Sequence, residues 1–147
     1  MWNAYRGELS AYSSRIAGEE PSEKEILGMW LNPNTEIYIA VLDNTPIGFL
    51  LLGINENKHE SSDWFIGEFY IAGEYQHHGY GRKIMKELVS EKKGNYCLFV
   101  LKQNAKAIEF WDKVFTESGY KDVSRCFVCS HTPEDCVFKM FSPAFNS

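Results

Sequence analysis

Apolar positions recur along the chain with two different periods, and the switches between them divide it into elements. Tyr5, Leu9, Tyr12 and Ile16 fall at helical spacing and predict a helix from Asn3 to about Ile16, broken by Gly18 and Pro21. Ser22 with Glu25 three residues on reads as a capping box that opens a second helix through Trp30, which Asn32-Pro33-Asn34 ends. The period then drops to two. "TEIYIAVLD" (Thr35 to Asp43) and "IGFLLLGI" (Ile47 to Ile54) flank the turn sequence "DNTP" and predict a hairpin. After the polar stretch "NENKHESSD", a third strand runs from Asp63 to Ala72.

Helical spacing returns at Gly79 to Lys92, where Ile84, Met85, Leu88 and Val89 form one stripe and Gly94 stops the helix. "YCLFVL" (Tyr96 to Leu101) is a continuous apolar run, the mark of a parallel strand covered on both faces. Asn104 then caps a helix lined by Ile108, Trp111, Val114 and Phe115, which ends at Gly119. Strands at about Lys121 to Ser130 and Cys136 to Phe141 close the chain. The order implies an α/β fold with a mixed sheet: an antiparallel meander, then β-α-β-α, then a closing hairpin. In open sheets of this kind ligands bind beyond the carboxyl ends of the strands.

Composition narrows the function classes. The 147 residues suit a single domain over residues 1–147. A net charge of −5 argues against nucleic acid as a partner. No apolar run reaches the roughly 20 residues that span a bilayer, and "MWNAYRGELSAYSSR" carries no signal-peptide core, so the expected location is the cytoplasm. Cys126, Cys129 and Cys136, with His131 between them, raise the question of zinc. If "VSRCFVCS" is a strand, Cys126 and Cys129 face opposite sides and share no metal. Reduced, partly buried thiols and no metal are the expectation.

"EYQHHGYGRKIMKEL" (Glu74 to Leu88) places two glycines one residue apart between a strand and a helix. A Walker loop needs Lys and Ser or Thr after its second glycine, and here Gly79 is followed by Tyr80 and Gly81. A dinucleotide fingerprint needs a third glycine where Ile84 stands. The pattern Gln/Arg-x-x-Gly-x-Gly/Ala is met by Gln76, Gly79 and Gly81. A tight turn alone also produces such a sequence. Further on, "VLKQNAKAIEFWDKVFTESGY" carries Asn104, Ala107, Phe110, Trp111 and Gly119-Tyr120 on the matching elements.

With these two segments the chain resembles the GNAT superfamily of acyl-CoA-dependent N-acyltransferases over roughly Thr35 to Phe141, closest to a small bacterial branch. The resemblance implies acetyl-CoA as co-substrate and an amine of a small molecule or a protein as acceptor. It implies that the third strand splays from the next parallel strand to admit the pantetheine arm, with the backbone of Phe69 near the acetyl carbonyl and that of Ile71 on the arm. Tyr70 belongs to the same cofactor-lining segment. Gln76 opens the pyrophosphate loop, whose amides run from His77 and His78 through Gly79, Tyr80 and Gly81. Arg82 and Lys83 complete it and add positive charge. A helix start suits an anion because its N–H groups converge and its dipole is positive there. Asn104 is expected to bind the arm, with Phe110 and Trp111 beside it; Phe110 and Trp111 also read as core. His77 and His78 read as solvent-facing loop residues rather than as metal ligands or catalytic groups.

Amine attack on a thioester requires loss of a proton, since an amine of pKa about 10.4 is mostly protonated at neutral pH. Glu68 is the candidate base, with a solvent-facing strand carboxylate as the alternative; the flanking aromatics would raise its pKa by desolvation. Many relatives place a tyrosine acid where this chain has Trp111, and an indole N–H cannot serve. Tyr70, Tyr80 or Tyr120 remain candidates, as does unassisted loss of a thiolate of intrinsic pKa about 8.5. A non-catalytic CoA-binding sensor domain is the rival reading. The family's opening edge strand has no counterpart in the pattern here, and an exposed sheet edge invites pairing, so a homodimer is a further expectation. Trp2, Tyr5, Tyr12 and Trp30 read as core or as walls of an acceptor pocket.

Overall fold

The computed structural model describes residues 5, 6, 8, 9, 23–54, 62–127 and 129–144. Among them Tyr5, Arg6, Glu8 and Leu9 are helical, as the spacing of Tyr5 and Leu9 requires. The rest of that predicted helix, and Ser22 of the capping box, lie outside the described residues. Helix α1 (Glu23–Trp30) leads into β1 (Thr35–Leu42), β2 (Thr45–Ile54) and β3 (Trp64–Ile71). Helix α2 (Tyr80–Glu91), β4 (Tyr96–Leu101), α3 (Ala105–Glu117), β5 (Tyr120–Asp122) and β6 (Cys136–Pro143) follow. The mixed sheet runs β1-β2-β3-β4-β6-β5.

The β1–β2 turn is tighter than "DNTP" suggests. Asp43 and Asn44 take φ of 49° and 66°, and Leu42 pairs directly with Thr45. Two left-handed residues give the primed turn whose twist matches a hairpin, and Asp and Asn tolerate it. The register then slips between Ala40 and Val41, which lets Pro46, without an N–H, sit inside the ladder. β1 is the sheet's edge among the described residues, and it leaves Ile37, Ile39 and Val41 exposed.

The last hairpin departs from expectation. β5 stops at Asp122 instead of running to Ser130. The Asp122 carboxylate accepts the Ser124 N–H at 2.8 Å, and a single turn of 3-10 helix, Ser124–Cys126, replaces the strand. Such a local side-chain bond competes with the ladder. Cys126 is therefore exposed on a turn rather than facing one side of a strand, and Cys136 is buried in β6. Among the described residues no group of three His, Cys, Asp or Glu side chains is placed to hold a metal.

The two faces of the sheet are covered differently. Leu50, Leu52, Ile66, Leu98 and Val100 bury against Met85, Leu88 and Val89 of α2 and Trp111, Val114 and Phe115 of α3. Phe115 stacks on Phe141 with ring centres 4.2 Å apart. Each such side chain contributes about 1.5–3 kcal/mol by leaving water. On the opposite face Tyr5 and Trp30 pack on Phe49 and Tyr70. Alternation along β3 therefore sends Glu68 and Tyr70 to the face of Tyr5 and Phe69 to the face of α2 and α3.

At Gly48 the strands come closest: a Cβ there would lie 2.3 Å from the Tyr70 carbonyl oxygen, a backbone atom held by the β2–β3 ladder. The Gly48→Ala variant is expected to lose about 1–3 kcal/mol by overpacking. For a chain of this size that lowers the thermal midpoint by several degrees at roughly 2–4 °C per kcal/mol, which calorimetry reads directly.

Candidate active site

The site begins where pairing fails. β3 and β4 run parallel through only three pairs, Trp64–Tyr96, Phe65–Cys97 and Ile66–Leu98, and then diverge. Two features drive them apart. Gly67 is an extra residue on β3, because Leu51 faces Glu68 while Leu52 faces Ile66, and a bulge of this kind adds twist. β4 meanwhile stays fully paired with β6 to Leu101. The Ala72 N–H bonds the Ile47 carbonyl at 2.7 Å. By alternation, Tyr70 and Ala72 turn their peptide groups toward β2 while Phe69 and Ile71 turn theirs into the gap.

Two clefts open at this gap. One, of about 670 Å³, is walled by Leu51, Phe65, Glu68, Phe99 and Asn34. The other, of about 780 Å³, follows Ile71, Gln76, His77, Gly79 and Phe110 toward the start of α2. They share Tyr5, Leu9, Phe69, Asn104, Ala107 and Trp111, so the two clefts adjoin at these side chains beside the splayed strands.

The glycine loop enters α2 through two left-handed residues, His77 at φ 64° and Gly79 at φ 83°. Gly79 is the N-cap, and the first bond of the helix runs from the Lys83 N–H to its carbonyl at 3.1 Å. The amides at residues 79 to 82 are thus the ones a helix start leaves without an intrahelical partner. Gly81 brings the helix close to the sheet, since a Cβ would lie 3.4 Å from the Phe69 ring and 3.5 Å from Phe110. Gln76 holds the loop to the strand end: its Nε2 donates to the Ile71 carbonyl at 2.6 Å and approaches the Glu8 carboxylate at 3.3 and 3.4 Å. With that carbonyl occupied, the Ile71 N–H is the group left facing the opening.

The second cleft carries both signs, with Glu8 and Glu109 beside three cations. Arg82 lines the cleft and donates through Nε to Glu117 Oε2 at 2.6 Å. Lys106 and Lys113 of α3 join it. Neither lysine stood out in the sequence, although with Phe110 they form an i, i+4, i+7 stripe on one helix face. The side chains of His78 and Lys83 line neither cleft, and the His78 ring lies 5.9 Å from that of Tyr80.

Asn104 caps α3, its side chain accepting the Ala107 N–H at 3.2 Å. That bond uses Oδ1 and leaves the amide NH₂ for the clefts. Phe69 stacks on Phe110 at 5.9 Å and tilts against Trp111 at 5.6 Å, with Phe110 and Trp111 at 5.0 Å edge to face. The three rings form a firm apolar floor. Trp111 is buried and is both core and wall.

Glu68 is not a free surface carboxylate. Its Oε2 accepts a hydrogen bond from the Tyr5 hydroxyl, 63 residues away in sequence. Burial raises its pKa above the ordinary carboxylate value, while the Tyr5 hydrogen bond and the Arg6 charge act against that rise. Tyr5 is likewise pushed up by burial and by the Glu68 charge, so its phenol keeps its proton. Of the other tyrosines considered, Tyr80 and Tyr70 line the second cleft, whereas Tyr120 lies in the core against Phe115 and Tyr96 and reaches neither.

The family described as the acetyltransferase (GNAT) family matches residues 2–115. No curated protein matches the sequence. Several solved structures share the fold. An acetyltransferase from Thermus thermophilus superposes with a TM-score of 0.61 at 18% identity, covering 94% of this chain and 88% of its own. The ribosomal-protein-S18-alanine N-acetyltransferase from Escherichia coli gives 0.60 at 14% identity, covering 97% and 90%. The diaminobutyrate acetyltransferase EctA from Paenibacillus lautus, solved with L-2,4-diaminobutyric acid and coenzyme A, gives 0.60 at 15% identity, covering 97% and 91%.

The raised Glu68 pKa makes stability depend on pH. A folded chain that holds this proton more tightly than the unfolded chain gains stability from protonation. That gain is complete below the ordinary carboxylate pKa of about 4.3 and is lost as pH rises through the raised folded value. Glu68→Gln is therefore expected to melt above the wild type at neutral pH, with the gap closing on acidification. Calorimetry from about pH 4 to about pH 8 checks this; a gap that does not change with pH contradicts it.

Proposed function

The chain belongs to the acetyltransferase (GNAT) family, and on that premise we propose that it is an N-acetyltransferase carrying the acetyl group of acetyl-CoA to a primary amine of a small molecule or protein. The observation that carries this reading is the pair of adjoining clefts at the β3–β4 gap, with an anion-suited helix start in one and a half-buried carboxylate in the other. The residues fit the cofactor. Amides at residues 79 to 82, with Arg82, Lys106 and Lys113 around them, match a pyrophosphate. The outward peptide groups of Phe69 and Ile71 match the amides of a pantetheine arm, and the Asn104 amide offers a further donor. When bound, acetyl-CoA supplies an activated acyl thioester.

The chain's own groups do the rest. Glu68 takes the proton that the amine must lose, and its raised pKa keeps it a stronger base than a solvated carboxylate. Phe69, Phe110 and Trp111 exclude water from where the clefts adjoin. The acceptor enters through the first cleft, whose walls are mixed: Phe65 and Phe99 beside Asn34 and Glu68. Neighbours of the same fold act on a diamino acid and on a ribosomal-protein alanine by their names, which brackets the acceptor classes to screen. A CoA-binding domain without turnover is favoured by one observation, the buried indole of Trp111 where relatives carry a hydroxyl. It predicts stabilisation by CoA with no thiol release on any amine.

Calorimetric titration with CoA is expected to show binding, and Gly79→Val to weaken it about tenfold or more. The branched side chain disfavours the left-handed φ of 83°, a strain of order 1–3 kcal/mol. Undiminished binding by this variant would remove the loop from the site. With acetyl-CoA and an amine panel, following free thiol, Glu68→Gln is expected to lower kcat by roughly 10²–10⁴-fold and to abolish the rise of rate with pH on the acid side. Unchanged turnover across pH removes Glu68 from the mechanism.

A further inference from the structure

The junction of the two clefts is lined by Tyr5, Leu9, Phe69, Asn104, Ala107 and Trp111. Of these six, Tyr5 alone carries a proton that a leaving group can take. Leucine, phenylalanine and alanine have none, a carboxamide and an indole N–H are far too weakly acidic, and the phenol is the one ionisable donor among them. The Tyr5 hydroxyl already donates to Glu68. The two side chains thus form a dyad reaching from the acceptor cleft to the junction.

We infer that Tyr5 and Glu68 act as a proton relay, with Glu68 the base for the amine and Tyr5 the acid for the departing thiolate. The inference rests on the acetyltransferase reading of the site. As the amine nitrogen bonds to the acetyl carbon, the carbon–sulfur bond breaks and its electron pair leaves on sulfur. Glu68 accepts the proton from nitrogen. Tyr5 passes its hydroxyl proton to sulfur and takes up the one held by Glu68. The amine's proton ends on the thiol, and both side chains return to their starting states.

The surroundings support this role. Tyr5 is buried, with its ring 5.5 Å from Phe49 and 5.4 Å from Tyr70, so the hydroxyl is held in place by packing. Among the described residues, the titratable and charged groups shown facing it are Glu68 and Tyr70 on β3 and Arg6 next to it in sequence. Burial and the Glu68 charge keep the phenol protonated until the moment of transfer. The relay also explains how a chain with tryptophan at position 111 remains equipped to protonate a thiolate. Tyr80, on the first turn of α2, lines the second cleft but not its junction with the first, and Tyr120 lies in the core.

Tyr5→Phe tests the relay with little risk to folding, since the ring contacts remain. The first readout is independent of turnover: the ultraviolet absorbance of the thiolate of CoA bound to the protein, titrated against pH. If Tyr5 donates to sulfur, bound thiol ionises at lower pH in the wild type than in Tyr5→Phe, because a hydrogen bond to the anion favours it. The second is kinetic, with kcat expected to fall by roughly 10²-fold in Tyr5→Phe while CoA affinity is retained. The third places a ring-fluorinated tyrosine, whose phenol ionises at lower pH, at position 5; the alkaline limb of kcat then moves to lower pH. A merely structural tyrosine moves neither the thiol titration nor that limb. CoA binding and acetyl transfer with both unchanged overturn the relay and leave the acetyltransferase reading standing. A wild type that binds no CoA overturns that reading and the relay together.

Discussion

A parallel strand pair that stops after three residue pairs is the constraint on which the site depends. Backbone groups in a protein interior must find partners, so strands rarely part inside a sheet without a reason. Here each strand has secured its other edge. β3 is laddered to β2 and bent at Gly67, while β4 is laddered to β6 along its whole length. The peptide groups freed between them face a cleft rather than apolar core, and a ligand with its own amides is the natural partner. Closing the gap would require the bulge at Gly67 and the curvature of two ladders to relax together.

Charge is arranged along the same clefts. The chain is acidic overall, at −5, and the cleft at the start of α2 is lined by Arg82, Lys106 and Lys113 together with Glu8 and Glu109. At the other end the Arg6 guanidinium joins a carboxylate, a phenol and carboxamides. Under the proposed function the anion binds at one end and the amine loses its proton at the other, with three aromatic rings between them. This separation follows from alternation on β3, which puts Phe69 on the face of α2 and α3 and Glu68 on the face of Tyr5.

Much of this was legible in the sequence because it is local. The meander, the glycine loop, the capping Asn104 and the stripe on α2 each rest on residues within a few positions of one another. The features missed are those that local patterns do not encode. Asp122 ended β5 by bonding Ser124, a competition between side chain and ladder that strand propensity ignores. Asp43 and Asn44 supplied a two-residue turn without a glycine. Lys106 and Lys113 drew no reading from the sequence and line the second cleft in the fold. The Tyr5–Glu68 contact spans 63 residues, and no periodicity predicts it. Reading Tyr5 as core was right for its ring and silent about its hydroxyl.

That last contact ties the two ends of the site together through one helical turn. Tyr5 reaches Glu68 on the acceptor side, and Glu8 approaches Gln76, whose amide clamps the end of β3 to the glycine loop. Residues three apart on a helix lie on the same face, so one face of this segment touches both the carboxylate and the loop. Among the described residues, the apolar contacts of this segment are those of Tyr5 with Phe49 and Tyr70 and of Leu9 beside them, which are insensitive to salt. A hydroxyl carried on α3 would be positioned by the core alone. One carried at position 5 is positioned by how this helical turn sits on β2 and β3, so the chemistry of the carboxylate and the geometry of the loop share a common support.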